Sequence, residues 1–197
     1  MRATRLEIEG LILVELDVRG DERGFFAERF KRSAFGELGL PRDFCQDNHS
    51  RSAHGVLRGL HYQTDPPQGK LVGVTRGRIW DVAVDIRPHS PTFGRSYRLE
   101  LSDMNGRVLW VPPGFAHGFC VVGDEPADVY YKVDAEYNPA TEGGIIWSDP
   151  ELAIPWPLSD PVVSTRDGAL PAFAEYRARP VDWRRGPAFS EQYVAEA

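Results

Sequence analysis

Short runs of β-branched, aromatic and aliphatic residues recur along the chain, and glycine, proline, asparagine or aspartate bounds each run. The runs are LILVELDV, KLVGV, RIWDVAVDI, SYRLELS, VLWVP, HGFCVV and DVYYKV. One segment, residues 28–39 with Gly39 at its end, has a helical pattern. Because many short strands with little helix are typical of a sandwich or a barrel, the pattern predicts an all-β fold with a few short peripheral helices.

Two short turns stand between predicted strands. Met104–Gly106 separates SYRLELS from RVLWV, and its Asn-Gly pair accepts the positive φ angles of a type I′ turn, which predicts a β-hairpin. Thr75–Gly77 is expected to join KLVGV to RIWDVAVDI in the same way.

Length and composition are those of an ordinary globular domain. The 197 residues are expected to form one domain, 1–197, in which residues 173–197 lose the strand rhythm and form a less regular tail. The net charge of −6 and the lack of any Lys/Arg run argue against a nucleic-acid partner. No apolar segment is long enough to cross a bilayer and no signal peptide is recognisable, which predicts no membrane partner and a cytoplasmic location.

The two cysteines offer no obvious chemistry. Cys45 and Cys120 lack metal-ligand spacing, and two cysteines are too few for a disulfide framework. They are expected to be buried, reduced thiols, as in a cytoplasmic protein.

Tyr131 lies in a segment whose alternation assigns its faces. In ADVYYKVD, Ala127, Val129, Tyr131 and Val133 share one face, and the other face is largely polar. An inward tyrosine is most often a core residue whose hydroxyl bonds to the backbone. The alternation therefore places Tyr131 inside the fold without giving it a function.

His117 stands in VPPGFAHGF, a Pro-x-Gly-x-x-His run that is similar to the second signature of cupin β-barrels, where this histidine often binds a metal. The first signature would supply two further histidines and a glutamate, but the corresponding region holds only His61 and then Lys70. An ammonium group has no lone pair for a metal and would repel one. The motif therefore predicts a cupin-type barrel without a metal site.

The segment GVLRGLHYQTDPPQGKLV, residues 55–72, contains Arg58, His61 and Lys70. Strict alternation puts Arg58 and His61 on opposite faces, which favours an exposed arginine beside a core histidine. Gly59 leaves a second interpretation open, because a glycine within a strand often marks a bulge that redirects its neighbours. With a bulge, both side chains would face the interior.

A series of motifs then follows the order and spacing of a known family: DERGFFAE, FCQDNHSRS, GVLRGLHYQ, GKLV, DVAVDIR, SPTFG, LWVPPGFAHGF, YKVDAEYNP, WSDPELAIPWP and STRD. Over residues 4–173 the chain resembles the dTDP-4-dehydrorhamnose 3,5-epimerase family. The resemblance implies a cupin-type jelly roll and a homodimer that needs no metal or organic cofactor. It also implies conversion of dTDP-4-dehydro-6-deoxy-D-glucose to dTDP-4-dehydro-L-rhamnose.

The resemblance also assigns roles to residues. It implies that His61 is the catalytic base, that Asp167 orients it, that Lys70 lies near the sugar carbonyl and that Tyr131 is the general acid. Tyr137 would stack on the thymine ring. Further positions expected to line the nucleotide-sugar site are Arg23, Glu28, Gln46, Asn48, Arg58, His117, Glu142 and Arg166. Arg166 is a departure, because the family more often has lysine before the final aspartate of STRD, and arginine changes the geometry of the cation.

The chemistry suits these residue types. A C4 ketone acidifies the protons on C3 and C5, and inversion needs a base on one face of the ring and a proton donor on the other. Histidine has an ordinary pKa of about 6.5, which fits the first task, and a paired aspartate stabilises its imidazolium. Lys70 would stabilise the enolate oxygen, and guanidinium groups would bind the diphosphate bidentately.

Other functions remain open at this point. A 3- or 5-mono-epimerase of an antibiotic-sugar pathway would differ by a few residues, although the presence of Tyr131 favours the double epimerase. A dTDP-sugar 3,4-ketoisomerase would be expected to lack the full motif set. A metal-dependent cupin oxygenase would have only His61 and His117 as ligands. A non-catalytic nucleotide-sugar binding module would have no use for a histidine–aspartate pair facing a tyrosine.

Overall fold

The computed structural model describes residues 1–183 and is nearly all β. Thirteen strands and two short α-helices make up the described chain, together with a 3₁₀ turn at Asp167–Ala169. The bounds are β1 Arg2–Arg5, β2 Ile12–Glu15, β3 Val18–Asp21, β4 Gly24–Ala27, α1 Arg32–Glu37, β5 Gln46–Ser52, β6 Leu57–Gln63, β7 Lys70–Arg76, β8 Arg78–Asp85, β9 Ser96–Ser102, β10 Arg107–Val111, β11 Phe115–Val121, β12 Ala127–Val133, β13 Glu142–Gly144 and α2 Phe173–Ala178.

The strands form two antiparallel sheets and a separate ribbon. The six-stranded sheet has the order β1-β2-β10-β7-β12-β5, and the five-stranded sheet has the order β13-β6-β11-β8-β9. From β5 to β13 the chain crosses from one sheet to the other at every connection except that between β8 and β9, which is the arrangement of a jelly roll. The ribbon of β3 and β4 pairs only with itself. The prediction of an all-β fold with a few short helices is confirmed.

The inner faces of the two sheets enclose the main hydrophobic core. Val72 and Val129 from the six-stranded sheet meet Ala83 and Phe119 from the five-stranded sheet, and all four are buried. Tyr131 packs against the same cluster, so the inward direction predicted for it from alternation is confirmed. Burial of apolar side chains between two facing sheets is the main stabilising contribution of such a fold.

A second apolar cluster covers the outer face of the five-stranded sheet. Phe173 and Tyr176 of α2 pack there with Trp183, and the Tyr176 hydroxyl donates a hydrogen bond to the Ile86 carbonyl at 2.7 Å. The tail predicted over 173–197 is therefore ordered and packed as far as Trp183, which is 3% exposed. Its remaining residues, 184–197, lie outside the described part of the chain.

Neither of the two turns predicted to close a β-hairpin does so. β9 and β10, on either side of Met104–Gly106, belong to different sheets, and so do β7 and β8 around Thr75–Gly77. At the first turn only Gly106 has a positive φ, +60°, whereas a type I′ turn needs two such residues. The Asn105 side chain instead accepts backbone hydrogen bonds from Ser102 and Arg107. The local sequence specifies a turn, but the strand pairing of the jelly roll determines which sheet the next strand joins.

Two smaller expectations are partly corrected. Helix α1 spans Arg32–Glu37 only, and Gly39 follows it with a φ of +72°. Cys120 is buried, which raises the pKa of its thiol to about 11, but Cys45 is exposed. Cys45 directly precedes edge strand β5, whose odd-numbered residues face outward, so the expectation of a buried thiol there is wrong.

Within residues 1–183, no helix has the length and apolar character needed to span a bilayer.

Candidate active site

A cavity of about 640 Å³ opens between the two sheets and brings most of the predicted site residues together. Strands β5, β7 and β12 form one wall, and β6 and β11 form the other. Eleven of the thirteen predicted residues line it: Gln46, Asn48, Arg58, His61, Lys70, His117, Tyr131, Tyr137, Glu142, Arg166 and Asp167.

A bulge at Gly59 determines the direction of two of these side chains. Where β6 pairs with β11, residues 59 and 60 together oppose only Gly118, so the register shifts. Gly59 has a φ of +119°, and a Cβ on it would lie 2.6 Å from the Gly118 Cα. Strict alternation therefore fails, because Arg58 and His61 both line the cavity, although Arg58 is also exposed to solvent. The bulge interpretation of this segment is the one that the structure supports.

Replacement of Gly59 by alanine is expected to lower the free energy of unfolding by about 2 kcal/mol and to impair activity, because the side chain meets both a disfavoured φ and a neighbouring strand. Thermal unfolding and turnover measure the two effects. Gly123→Ala is the matched control, because no atom lies closer than 3.7 Å to its Cβ position. Wild-type stability and turnover in Gly59→Ala would contradict the importance of the bulge.

His61 and Asp167 form a directly bonded pair although 106 residues separate them. The distance from His61 Nε2 to Asp167 Oδ1 is 2.8 Å, and Asp167 is 5% exposed. The second carboxylate oxygen accepts the Gly59 N–H at 3.2 Å, while the Asp167 N–H donates to Ser164 Oγ at 3.0 Å. The carboxylate is thus fixed from two sides and can orient the imidazole and stabilise its charged form.

Tyr131 faces this pair from the other sheet. It lies on β12, whereas His61 lies on β6, so the two side chains approach the cavity from opposite walls. Burial raises the pKa of the Tyr131 hydroxyl, and the charge of Arg58 partly offsets that effect. The phenol is therefore protonated at neutral pH and available as a proton donor.

Lys70 begins β7 and contributes a cation to the cavity. Burial lowers the pKa of its ammonium group to about 8, although the nearby charges of Asp134 and Glu142 act in the opposite direction. The group is thus mostly charged at pH 7, but with a smaller margin than an exposed lysine. A poorly solvated cation interacts strongly with a developing negative charge.

Tyr137, Glu142 and Arg166 form a cluster beside the cavity. The Tyr137 hydroxyl donates to Glu142 Oε2 at 2.7 Å, and Arg166 forms an ion pair with the same oxygen. Burial alone would raise the pKa of Glu142, but the hydrogen bonds from Arg166 and Tyr137 hold it below its usual value. Tyr137 is 48% exposed, and its backbone N–H donates to Gln46 Oε1 at 2.9 Å. An aromatic ring anchored in this way offers a stacking surface.

His117 is held by a buried carboxylate that the sequence had not singled out. Its Nε2 lies 2.9 Å from Asp81 Oδ2, and both residues are buried. His61 stands opposite His117 in the strand pairing, but its Nε2 is likewise directed to a carboxylate. Throughout residues 1–183, no three histidine, cysteine or acidic side chains come together as a metal-binding group.

Arg23 and Glu28 do not line the cavity of their own chain. Arg23 lies in the turn of the β3–β4 ribbon and pairs with Asp21, and Glu28 directly follows β4. Both residues are exposed. The ribbon pairs with neither sheet, so its side chains are not carried into the interior.

Other cavity residues were missed from the sequence. Ser50 lines the wall, and its buried hydroxyl has no hydrogen-bond partner among the described residues. Alternation in QDNHSRS could have found it, because the even-numbered residues 46–52 face inward. Val162 and Val163 reach the cavity on a loop that pairs with Val56, a contact for which the sequence carries no local signal.

A jelly roll whose interior holds a histidine–aspartate pair, an opposed tyrosine and several cations is suited to a cupin-type enzyme that transfers protons. Residues 5–175 match the sequence model of the family described as dTDP-4-dehydrorhamnose 3,5-epimerase. The chain belongs to this family, which confirms both the resemblance and the cupin-type jelly roll predicted from it.

Individual relatives support the same assignment. The chain is 53% identical to a dTDP-4-dehydrorhamnose 3,5-epimerase of Pseudomonas aeruginosa, over 89% of this chain and 97% of the relative. It is 41% identical to a dTDP-4-dehydrorhamnose 3-epimerase of Streptomyces niveus, over 90% and 86% of the two chains. The crystal structure of a dTDP-6-deoxy-D-glucose-3,5-epimerase from Legionella pneumophila in complex with dTDP-4-keto-L-rhamnose has a TM-score of 0.84 and 47% identity, over 88% of this chain and 93% of that chain.

Proposed function

We propose that the chain converts dTDP-4-dehydro-6-deoxy-D-glucose to dTDP-4-dehydro-L-rhamnose by inverting C3 and C5. The observation that carries this proposal is the placement of the His61–Asp167 pair and Tyr131 on opposite walls of one cavity. An epimerase needs this arrangement, because the proton must leave from one face of the sugar ring and return to the other. The relatives named above act on substrates of the same kind.

The proposed reaction begins when His61 removes the proton from a carbon next to the C4 ketone. The electron pair left behind delocalises into the ketone and gives an enolate. Asp167 stabilises the imidazolium that forms, at its observed distance of 2.8 Å. Lys70 stabilises the enolate oxygen through its charge. Tyr131 then donates a proton to the opposite face of the same carbon. Before the same steps occur at the second carbon, the imidazolium releases its proton to solvent and the tyrosinate takes a proton from solvent, so that both groups are regenerated.

The rest of the cavity suits the nucleotide part of the substrate. Arg58 and Arg166 bring guanidinium groups, which bind phosphate oxygens bidentately and remain charged. Tyr137 offers its half-exposed ring to a base. Binding energy from the nucleotide can then hold the sugar in reacting geometry against His61.

The product of the reaction tests the proposal. Incubation of the purified protein with dTDP-4-dehydro-6-deoxy-D-glucose, followed by NMR of the product, is expected to show inversion at both C3 and C5. The likeness to the Streptomyces niveus 3-epimerase makes mono-epimerisation the second candidate. A product inverted at C3 alone would establish that candidate, and unchanged substrate would contradict both.

We further propose that the chain forms a homodimer in which the β3–β4 ribbon of one copy reaches the cavity of the other. Phe25 and Phe26 on this ribbon are 60% and 71% exposed, which is unusual for adjacent aromatic residues. Arg23 and Glu28 match family site positions, yet they do not line the cavity of their own chain. Contribution of the ribbon to a second copy would account for both observations.

The double variant Phe25→Ser/Phe26→Ser is expected to be monomeric and to bind dTDP more weakly, because each cavity would lose the partner's ribbon. Light scattering and calorimetric titration measure the two effects. Met104→Ser, which removes an 88% exposed apolar side chain from the turn after β9, serves as the control and should change neither. A wild-type protein that is monomeric at micromolar concentration would refute the dimer.

A further inference from the structure

Arg58 is hydrogen-bonded to a serine, whereas Arg166 and Arg51 are each paired with a carboxylate. Its Nε donates a hydrogen bond to Ser52 Oγ at 2.9 Å, and within residues 1–183 it forms no ion pair with a carboxylate. Arg166 is paired with Glu142. The neighbouring Arg51, on the outer face of β5, makes a bidentate ion pair with Asp128. Arg58 is thus held in place without being neutralised.

Ser52 is suited to hold this guanidinium. It is the last residue of β5, it pairs with Ala127 of β12 and it is 3% exposed, so its hydroxyl is fixed by the sheet. Ser52 does not itself line the cavity, whereas Arg58 does. The side-chain contact that links Ser52 to the cavity is therefore its hydrogen bond with Arg58.

The geometry of the hydrogen bond has a consequence for anion binding. A guanidinium group carries five N–H donors in one plane. When a neutral hydroxyl accepts from Nε, the plane of the group is restricted while both Nη groups and the full positive charge remain available. The two Nη groups can then bind phosphate oxygens bidentately. A carboxylate at the same place would restrict the plane equally well but would cancel the charge.

We propose that Ser52 is a positioning residue that pre-orients Arg58 for the diphosphate of the substrate. This inference rests on the proposed function, since it takes the diphosphate to be the ligand of Arg58. Ser52 fixes the guanidinium before the substrate arrives, so that less conformational entropy of the Arg58 side chain is lost on binding. The contribution of Ser52 to affinity therefore exists only when both Arg58 and the diphosphate are present.

Calorimetric titration with dTDP and with thymidine tests the inference. Ser52→Ala is expected to raise the Kd for dTDP roughly tenfold, which corresponds to one strong hydrogen bond, and to leave the Kd for thymidine unchanged. In the Arg58→Met background, Ser52→Ala should have no further effect on dTDP binding. In turnover, KM should rise while kcat stays near its wild-type value.

Two further variants separate positioning from a structural role. Ser52→Thr keeps the hydroxyl and should restore dTDP affinity. Ser102→Ala removes another buried serine hydroxyl, one that accepts a backbone hydrogen bond from Asn105 far from the cavity, and should leave dTDP affinity unchanged. Equal weakening of dTDP and thymidine binding in Ser52→Ala, or the same loss with and without Arg58, would overturn the inference. Failure of the wild type to bind dTDP would instead overturn the proposed function.

Discussion

Replacement of His61 by asparagine is expected to lower kcat roughly a thousandfold, because the variant lacks the proposed catalytic base. Asparagine is a smaller polar residue whose amide does not reach the position from which His61 Nε2 bonds to Asp167, but the strands that line the cavity should keep their shape. Binding of dTDP, which we propose to depend on the arginines and on Tyr137, should change little. Turnover assays and calorimetric titration with dTDP measure the two quantities separately, and a large loss in the first with little change in the second is the expected result.

The chain provides a matched control for this experiment. His49 also lies within reach of a carboxylate, with its Nε2 3.6 Å from Asp128, but it stands on the outer face of β5. His49→Asn should keep wild-type turnover. If His61→Asn retained more than about a tenth of wild-type kcat, a general-base role for His61 would be refuted, since such catalysis contributes at least a hundredfold.

Replacement of Lys70 by methionine is expected to lower kcat roughly a hundredfold and at the same time to stabilise the protein. Folding lowers the pKa of this lysine from 10.5 to about 8, so the folded state disfavours its charged form. The resulting penalty is fully present below pH 8, amounts to about 3 kcal/mol and disappears as the pH rises toward 10.5. Methionine removes it. The variant should therefore unfold at a higher temperature than the wild type at pH 7.

The same lysine predicts the pH dependence of the wild-type enzyme. The ammonium form is the one that stabilises an enolate, so kcat should fall as the pH rises above about 8, where Lys70 loses its proton. Burial raises the pKa of Tyr131, so this group should not titrate earlier. A kcat that stays constant to pH 10, or a Lys70→Met variant that is both active and less stable, would contradict this role.

Short strand-forming runs bounded by turn residues predicted the all-β fold, and alternation predicted the inward face of one strand of the site. The inward direction of Tyr131 follows from period-two patterning, because the strand β12 is regular around that residue. The same rule failed for Arg58 and His61, since it assumes that each residue of β6 opposes one residue of β11. The bulge breaks that assumption. Its position was indicated by Gly59, but its direction depends on the close approach of Gly118 on another strand.

Long-range pairings account for the rest of what the sequence could not show. Asp167 meets His61 across 106 residues, and the motifs of the family predicted that neighbourhood although no local pattern did. Asp81 and Ser52 act on side chains of other strands, and only the strand pairing places them there. Arg23 and Glu28 were expected in the site, but the separate ribbon keeps them out of their own cavity.

The central claim is that His61 and Tyr131 exchange protons with the sugar from opposite faces, and deuterium incorporation tests it most directly. Incubation of the wild type with dTDP-4-dehydro-6-deoxy-D-glucose in D2O should place deuterium at both C3 and C5 of the product, and His61→Asn should place it at neither within the same time. Deuterium at C3 alone would show that the enzyme inverts only C3 and is a mono-epimerase. Inversion without any solvent deuterium, or equal uptake by wild type and His61→Asn, would contradict the mechanism.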